Sequence, residues 1–466
     1  MNTPIGLNRT TWERWNEPVE VDTAKHSAVI GTTGAGKTTV LLNLIMSEIA
    51  EGNGVTVMEP HGDLIDSILD AIPPHRRNDV ILYDPSDSTC SIGLNPLEGE
   101  DTPKLLAEAE KIVASLWKDM WGPQTSMLFR NFGEAILEVE PEPTLLHLYK
   151  AYMVKEYRGY LASKTRSATV KLFFEKYLED WDKKQQEQAS APGTNKLDTF
   201  MQIPLRYAVT QRHGLDFRKV IDGSQILLCR FAKGRIGPTA GAFLGSVVIA
   251  KILYAALARE NTRHRPPHRV FIDEAGNYMC GTAHEQLLTE ARKYNVSLTM
   301  GFQTLTQLPE ETKAAVFGNI ASLAVGRVGA NDAEELGAQL GVEPRTLQDL
   351  SNFWWYTKTV RNGVRSDAIL MEGLRPIDAK RDEEVRRQII QRSNTRYAKP
   401  TAIIERNIKT FLEGGPNENR VSGKGKRPQK AVGHSPRISR ERTARTTRAA
   451  RRSAKRVRVQ PKPQAG

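Results

Sequence analysis

Gly31-Thr32-Thr33-Gly34-Ala35-Gly36-Lys37-Thr38 fits G-x-x-x-x-G-K-[ST], the pattern of a phosphate-binding loop. Glycines in such a loop let the backbone turn its N–H groups toward phosphate oxygens. The pattern assigns Lys37 to the β- and γ-phosphates of a nucleotide and the Thr38 hydroxyl to Mg²⁺. Thr39 completes the binding stretch Gly31–Thr39. The flanks agree: Ser27-Ala28-Val29-Ile30 reads as a buried strand, and Thr39 to Ala50 as a helix opening under the phosphates.

Working outward, Gly54-Val55-Thr56-Val57-Met58 is a second buried strand, ending in Glu59-Pro60-His61-Gly62-Asp63-Leu64. Val80-Ile81-Leu82-Tyr83 is a third, running into Asp84-Pro85. This βαβαβ opening implies a parallel sheet with right-handed crossovers. Strand patterns return at Gln225 to Phe231, followed by a helix from Gly241 to Arg259. Then comes Arg269-Val270-Phe271-Ile272-Asp273-Glu274. An apolar strand ending in Asp-Glu supplies the second acidic motif of a phosphate-loop ATPase. Asp273 would hold Mg²⁺, usually through water, and Glu274 would polarise the attacking water. Val296 to Gln303 is a further strand, and Gln303 at its end is placed to touch the γ-phosphate or its water. His61 either lies near the nucleotide or packs at a strand end.

Ala321 to Arg327 reads as another strand. Phe353–Lys358 and Ser366–Met371 read as a hairpin across Arg361-Asn362-Gly363, where Asn-Gly suits a tight turn. A charged helix, roughly Arg381 to Arg392, leads to the linker Gly414-Gly415-Pro416. Residues 1–22 read as short and irregular, with Trp12 and Trp15 packing onto the body.

From Thr102 to Gly214 the pattern is different. Apolar residues recur at helical spacing (Leu105, Leu106, Ala109, Ile112, Val113, Leu116; then Leu128, Phe129, Phe132, Ile136, Leu137), and strand-like runs are absent. An all-helical insertion is expected, with polar Asp182 to Asn195 as a loop or frayed helix. The expected division is therefore 1–100 and 216–412 for an ATPase domain, 101–215 for the insertion and 413–466 for a tail.

The chain has 466 residues and a net charge of +12. Between 420 and 466 there are 16 Lys/Arg against one acid, Glu441, so this block carries +15 and the rest −3. The block has no aromatic residue, cannot bury a core and is expected to be disordered. Arg442, Arg445, Arg448 and Arg451 recur every third residue. Such a block suits phosphate contacts that position without reading sequence, or else binds an acidic protein. The three scattered cysteines give no disulfide framework or zinc spacing and suit a reducing compartment. No apolar stretch approaches about 18 uninterrupted residues, so a cytoplasmic chain, at most peripheral to a membrane, is expected.

Taken together, several segments resemble the HerA/FtsK superfamily of ring-forming DNA-pumping ATPases, most closely the coupling ATPases of type IV secretion and conjugative DNA transfer. They are Gly31–Thr38, Glu59 to Leu64, Asp79 to Pro85 with Gly93-Leu94-Asn95-Pro96-Leu97, Phe231-Ala232-Lys233-Gly234, Phe271 to Glu274, and Glu290-Ala291-Arg292-Lys293-Tyr294 through Gln303 and Gln307. The resemblance covers about residues 25 to 412. It implies an α/β, RecA-like fold with a central, mostly parallel sheet and the all-α insertion facing the DNA-processing machinery. It further implies a homo-hexameric ring with ATP and Mg²⁺ at subunit interfaces, DNA through the centre, and relaxosome or secretion-channel proteins as partners. Arg292 matches a position proposed as an arginine finger on the neighbour's ATP, and Arg327 is a second candidate. Many coupling proteins carry N-terminal transmembrane helices. Here the phosphate-loop strand begins within thirty residues of the start, so the resemblance implies anchoring through a partner, or work in solution. Besides the DNA translocase, a secretion ATPase moving protein, a viral or plasmid DNA-packaging ATPase, and a non-motor adaptor that binds ATP and tethers DNA stay open.

Overall fold

The apolar runs around the phosphate-loop sequence become neighbouring strands of one large sheet. A computed structural model of the chain describes residues 2–306, 308–361, 364–377 and 381–414. The basic block from 420 onward, Gln307 and the Asn362-Gly363 turn lie outside them. In chain order the strands are β1 (Asn2–Asn8), β2 (Pro18–Asp22), β3 (Ser27–Ile30), β4 (Gly54–Glu59), β5 (Val80–Tyr83), β6 (Cys90–Ile92), β7 (Ile226–Arg230), β8 (His268–Ile272), β9 (Val296–Phe302), β10 (Ser322–Val325), β11 (Trp354–Lys358), β12 (Val360–Arg361), β13 (Val364–Arg365), β14 (Ile369–Gly373) and β15 (Ala398–Pro400).

Eleven strands form the sheet, in the order β2-β1-β14-β11-β10-β3-β9-β8-β4-β7-β5. From β10 to β5 every neighbouring pair is parallel. The four strands beyond β10 pair antiparallel. β3, β4, β5 and β8 are buried along their whole length. That is why they read as continuous apolar runs rather than alternating ones: helices cover both faces.

On one face, α1 (Lys37–Ala50) and α2 (Asp63–Ala71) place Leu41, Leu44, Ile45, Ile65 and Ile68 against Val55, Val57, Leu228 and Phe271. On the other, the helix Pro238–Leu257 sets Phe243, Val247 and Ile252 in one core with Met58, Leu227, Val270 and Met300. This helix is long and apolar enough to cross a membrane, yet 83% of its apolar window is buried inside the protein. Thr239, Ser246 and Lys251 interrupt it, in keeping with the expectation that no stretch approaches about 18 uninterrupted apolar residues. The apolar run is the central core helix.

Helices run from Thr102 to Val209 with no strand among them, as the spacing predicts. Their apolar faces (Leu106, Phe129, Phe132, Leu148, Phe200) join the same core as the second sheet face. Phe200 stacks on Phe243 of the core helix with ring centroids 4.1 Å apart.

Two local expectations are overturned. Residues 2–22 are not irregular: β1 and β2 form an antiparallel hairpin that extends the sheet through β14. Trp15 packs onto the body under the Arg9 guanidinium, 41% exposed, while the Trp12 side chain lies outside the described ones. Asp182–Asn195 is not a loop but part of a regular helix, Lys183–Phe200, closed by a capping box in which Asp182 and Gln185 satisfy each other's backbone N–H groups. The hairpin expected after Phe353 is also elaborated: β11 pairs with β14, and β12–β13 form a small hairpin between them.

Candidate nucleotide site

The carboxyl ends of β3, β4, β8 and β9 lie on one edge of the sheet, the edge at which parallel α/β sheets bind ligands. The phosphate loop leaves β3 there. It is braced by two neighbours: Gly31 N–H donates to Phe302 O (3.1 Å), and Thr32 N–H donates to Arg327 O (2.7 Å). Gly36 turns into α1 at φ 101°, a left-handed conformation that favours glycine. The Lys37 ammonium folds back over the loop and donates to Gly31 O (2.6 Å) and Thr32 O (3.3 Å). Burial holds its pKa below the usual lysine value, opposed by the charges of Asp273 and Glu274.

Asp273 follows the last residue of β8 and is 7% exposed. Burial raises its pKa, against the pull of Lys37. Its Oδ1 accepts from the N–H of Glu274 (3.0 Å). Glu274 itself stands in a left-handed conformation, φ 49°, which is uncommon for a residue with a Cβ and marks a strained turn at a working edge. Its carboxylate meets His61 Nε2 at 3.3 Å, Asn277 Nδ2 at 3.1 Å and Lys233 Nζ at 3.5 Å. Lys233 also donates to Asn277 Oδ1 (2.9 Å). Glu59, at the end of β4, accepts from the N–H groups of His61 (2.8 Å) and Gly62. Burial pushes it up to about 7, against those two hydrogen bonds.

Gln303 reaches the loop directly, donating from Nε2 to Thr33 Oγ1 (2.8 Å). The structure thus brings Lys37, Asp273, Glu274 and Gln303 to one edge beside the Gly31–Thr39 segment. It does not bring Arg292 there. Arg292 is exposed on the 3₁₀ turn Ala291–Tyr294, before β9 begins, whereas Gln303 follows where β9 ends. The seven-residue strand between them spans roughly 20 Å. Arg327, by contrast, lies beside the chain's own loop and braces it through its carbonyl. Lys233 and Asn277 as partners of Glu274 escaped sequence reasoning. The only signals were the place of Lys233 in the Phe231-Ala232-Lys233-Gly234 segment and of Asn277 just after the Asp-Glu pair.

Among the described residues no group of three His, Cys, Asp or Glu is arranged to hold a metal. The buried carboxyl of Asp273 and the Thr38 hydroxyl that follows Lys37 in the loop nonetheless supply the oxygen donors that suit Mg²⁺, which takes one or two protein oxygens and fills its shell with phosphate and water.

Residues 18–179 match a family model described as the type IV secretion-system coupling protein DNA-binding domain. Residues 267–358 match one described as the TraM recognition site of TraD and TraG. No curated protein is similar enough in sequence to be matched. Among solved structures, the unbound bacterial conjugative coupling protein TrwB superposes with a TM-score of 0.59 at 16% identity, over 78% of this chain and 88% of that one. The plasmid coupling protein TrwB in complex with ADP and Mg²⁺ gives 0.57 at 17%, over 82% and 94%. VirB4 of Thermoanaerobacter pseudethanolicus gives 0.53 at 15%, over 82% and 98%. At these identities the likeness is one of fold.

Proposed function

We propose, from the premise that this chain belongs to the type IV secretion coupling ATPases of the HerA/FtsK superfamily, that it hydrolyses ATP to move DNA in conjugative or type IV secretion-like transfer. The observation that carries this reading is the convergence of Lys37, Asp273, Glu274 and Gln303 on the loop edge. In it, the loop N–H groups and Lys37 would cradle the β- and γ-phosphates, and Thr38 and Asp273 would hold Mg²⁺. The bound ion would neutralise phosphate charge. Glu274, ionised and held by three partners, orients the attacking water. Gln303, already on Thr33, senses the γ-phosphate from the strand end.

The working assembly is a homo-hexameric ring. Arg292, exposed and roughly a strand length from its own loop, is suited to act on a neighbour's ATP rather than on its own. DNA passes through the ring interior and is also held by the basic block from Arg420 to Lys462, with relaxosome or channel proteins as further partners. The ring works in the cytoplasm and meets the membrane through those partners.

The steady-state ATPase rate of the purified chain, with and without single- and double-stranded DNA, tests this. Stimulation by either form is expected and names the track. A protein that binds ATP and DNA but is not stimulated would instead move protein or act as an adaptor.

A further inference from the structure

Phe353 precedes β11 and stands against the phosphate loop. Its N–H donates to Ala35 O (3.1 Å), and its carbonyl accepts from Gly373 N–H (2.8 Å). Its ring lies so close to Gly36 that a Cβ added there would meet Cδ1 at 2.7 Å. Two features of this residue are costly to the fold. Its backbone is left-handed, φ 67°, where a bulky side chain is a genuine outlier. The residue is 49% exposed. The position is nevertheless firmly held. Two residues on, Trp355 is fully buried, wedged between Gly326 and Gly373, so β11 cannot slide. Strain that surrounding structure enforces at a ligand edge is a sign of function.

The side of the loop is informative. Asp273, Glu274 and Gln303 come from β8 and β9 and crowd one side, where a γ-phosphate must lie for water to be activated. A triphosphate threaded along the loop therefore sends its nucleoside toward the opposite side, where β10 and β11 stand. Among the described residues there, Phe353 is the exposed aromatic one.

We propose that the Phe353 ring is the platform on which the planar base of the bound nucleotide stacks, making it a specificity residue for nucleotides over bare polyphosphate. This rests on reading Gly31–Thr39 as an ATP site. The left-handed backbone aims the ring across Gly36, and the open ring face receives the base.

The test compares the full chain with Phe353→Asn, which removes the ring but tolerates the left-handed backbone, and with Phe353→Trp, which restores an aromatic face. Dissociation constants are measured by calorimetry for a non-hydrolysable ATP analogue and for inorganic tripolyphosphate, both with Mg²⁺. Phe353→Asn should weaken the analogue on the order of tenfold, the loss of one base–aromatic stack, and leave tripolyphosphate unchanged. Phe353→Trp should bind the analogue as the parent does. An unchanged analogue affinity in Phe353→Asn, or an equal loss for both ligands, would overturn the proposal. A parent chain that binds neither ligand would overturn the ATP-site reading itself, and the stacking proposal with it.

Discussion

Glu274 and His61 meet across the ends of two adjacent strands, β8 and β4, with Oε1 and Nε2 3.3 Å apart. Lys233 and Asn277 hold the other carboxylate oxygen. Burial pushes the Glu274 pKa up, but the hydrogen bonds from Asn277 and His61 outweigh it, and the carboxyl stays below its usual range. It is therefore ionised at neutral pH, as a group that orients water must be. Glu274→Gln keeps the shape and an acceptor for Asn277 and Lys233 but removes the charge. We expect hydrolysis to fall by about 10²- to 10⁴-fold while ATP stays bound. Single-turnover rates alongside nucleotide retention on a filter would show this. Hydrolysis near the parent rate would remove Glu274 from the chemistry.

Lys37 is the loop's one cation, and its ammonium rests on the loop's own carbonyls. Lys37→Ala should cut ATP hydrolysis by at least about a hundredfold and abolish the thermal stabilisation that ATP with Mg²⁺ gives the parent. DNA binding through the basic block should persist, because the two rely on different residues. Loss of both together, with an unchanged circular dichroism spectrum, would show that DNA is gripped only by the nucleotide-bound state.

Four buried histidines set the acid stability. Burial lowers His26 and His284 to about 4, and His147 and His268 to about 3. The unfolded chain binds these protons near 6.5 and the folded one does not, so stability is fully present above 6.5 and drains away as pH falls toward 4. Each histidine contributes a slope of up to about 1.4 kcal/mol per pH unit in that window. Glu59, raised to about 7 by burial, acts in the opposite sense: its contribution is present below about 4.5 and lost as pH rises to 7. Four groups outweigh one, so Tm should fall steadily from pH 6.5 to 4.5. Glu59→Gln should make that fall steeper. A flat melting profile over this range would contradict the neutral burial of these rings.

Legibility followed locality. The loop could be read because glycine, lysine and threonine at fixed spacing are themselves the phosphate cradle. β3, β4, β5 and β8 could be read because burial on both faces leaves unbroken apolar runs. The edge hairpin β1–β2 could not: Pro4, Gly6 and Pro18 interrupt its pattern, and edge strands need only half a face covered. The helix Lys183–Phe200 is polar almost throughout and contains Pro192. It is held by its cap and by a few buried residues, Ala189, Leu197 and Phe200 among them, too sparse a stripe to read with assurance. The partners of Glu274 and the place of Phe353 depend on which strand ends become neighbours, information that no single segment holds.

The charge of the chain is concentrated beyond residue 419. The first 419 residues carry −3 and form one compact unit, while 420–466 carry +15. Phosphate contacts release counterions, so each contact adds about 0.9 to the slope of log affinity against log salt on duplex DNA. If six of the sixteen cations engage phosphates, removing the block should flatten that slope by about 5. The shortened chain should keep its circular dichroism and its ATP binding, because the loop, Asp273, Glu274 and Gln303 all lie in the retained unit. Its basal ATPase should hold while half-maximal stimulation by DNA moves to higher DNA concentration, since the track would be found by the ring alone. An unchanged salt slope would assign the block to an acidic protein partner and leave the grip on DNA to the ring.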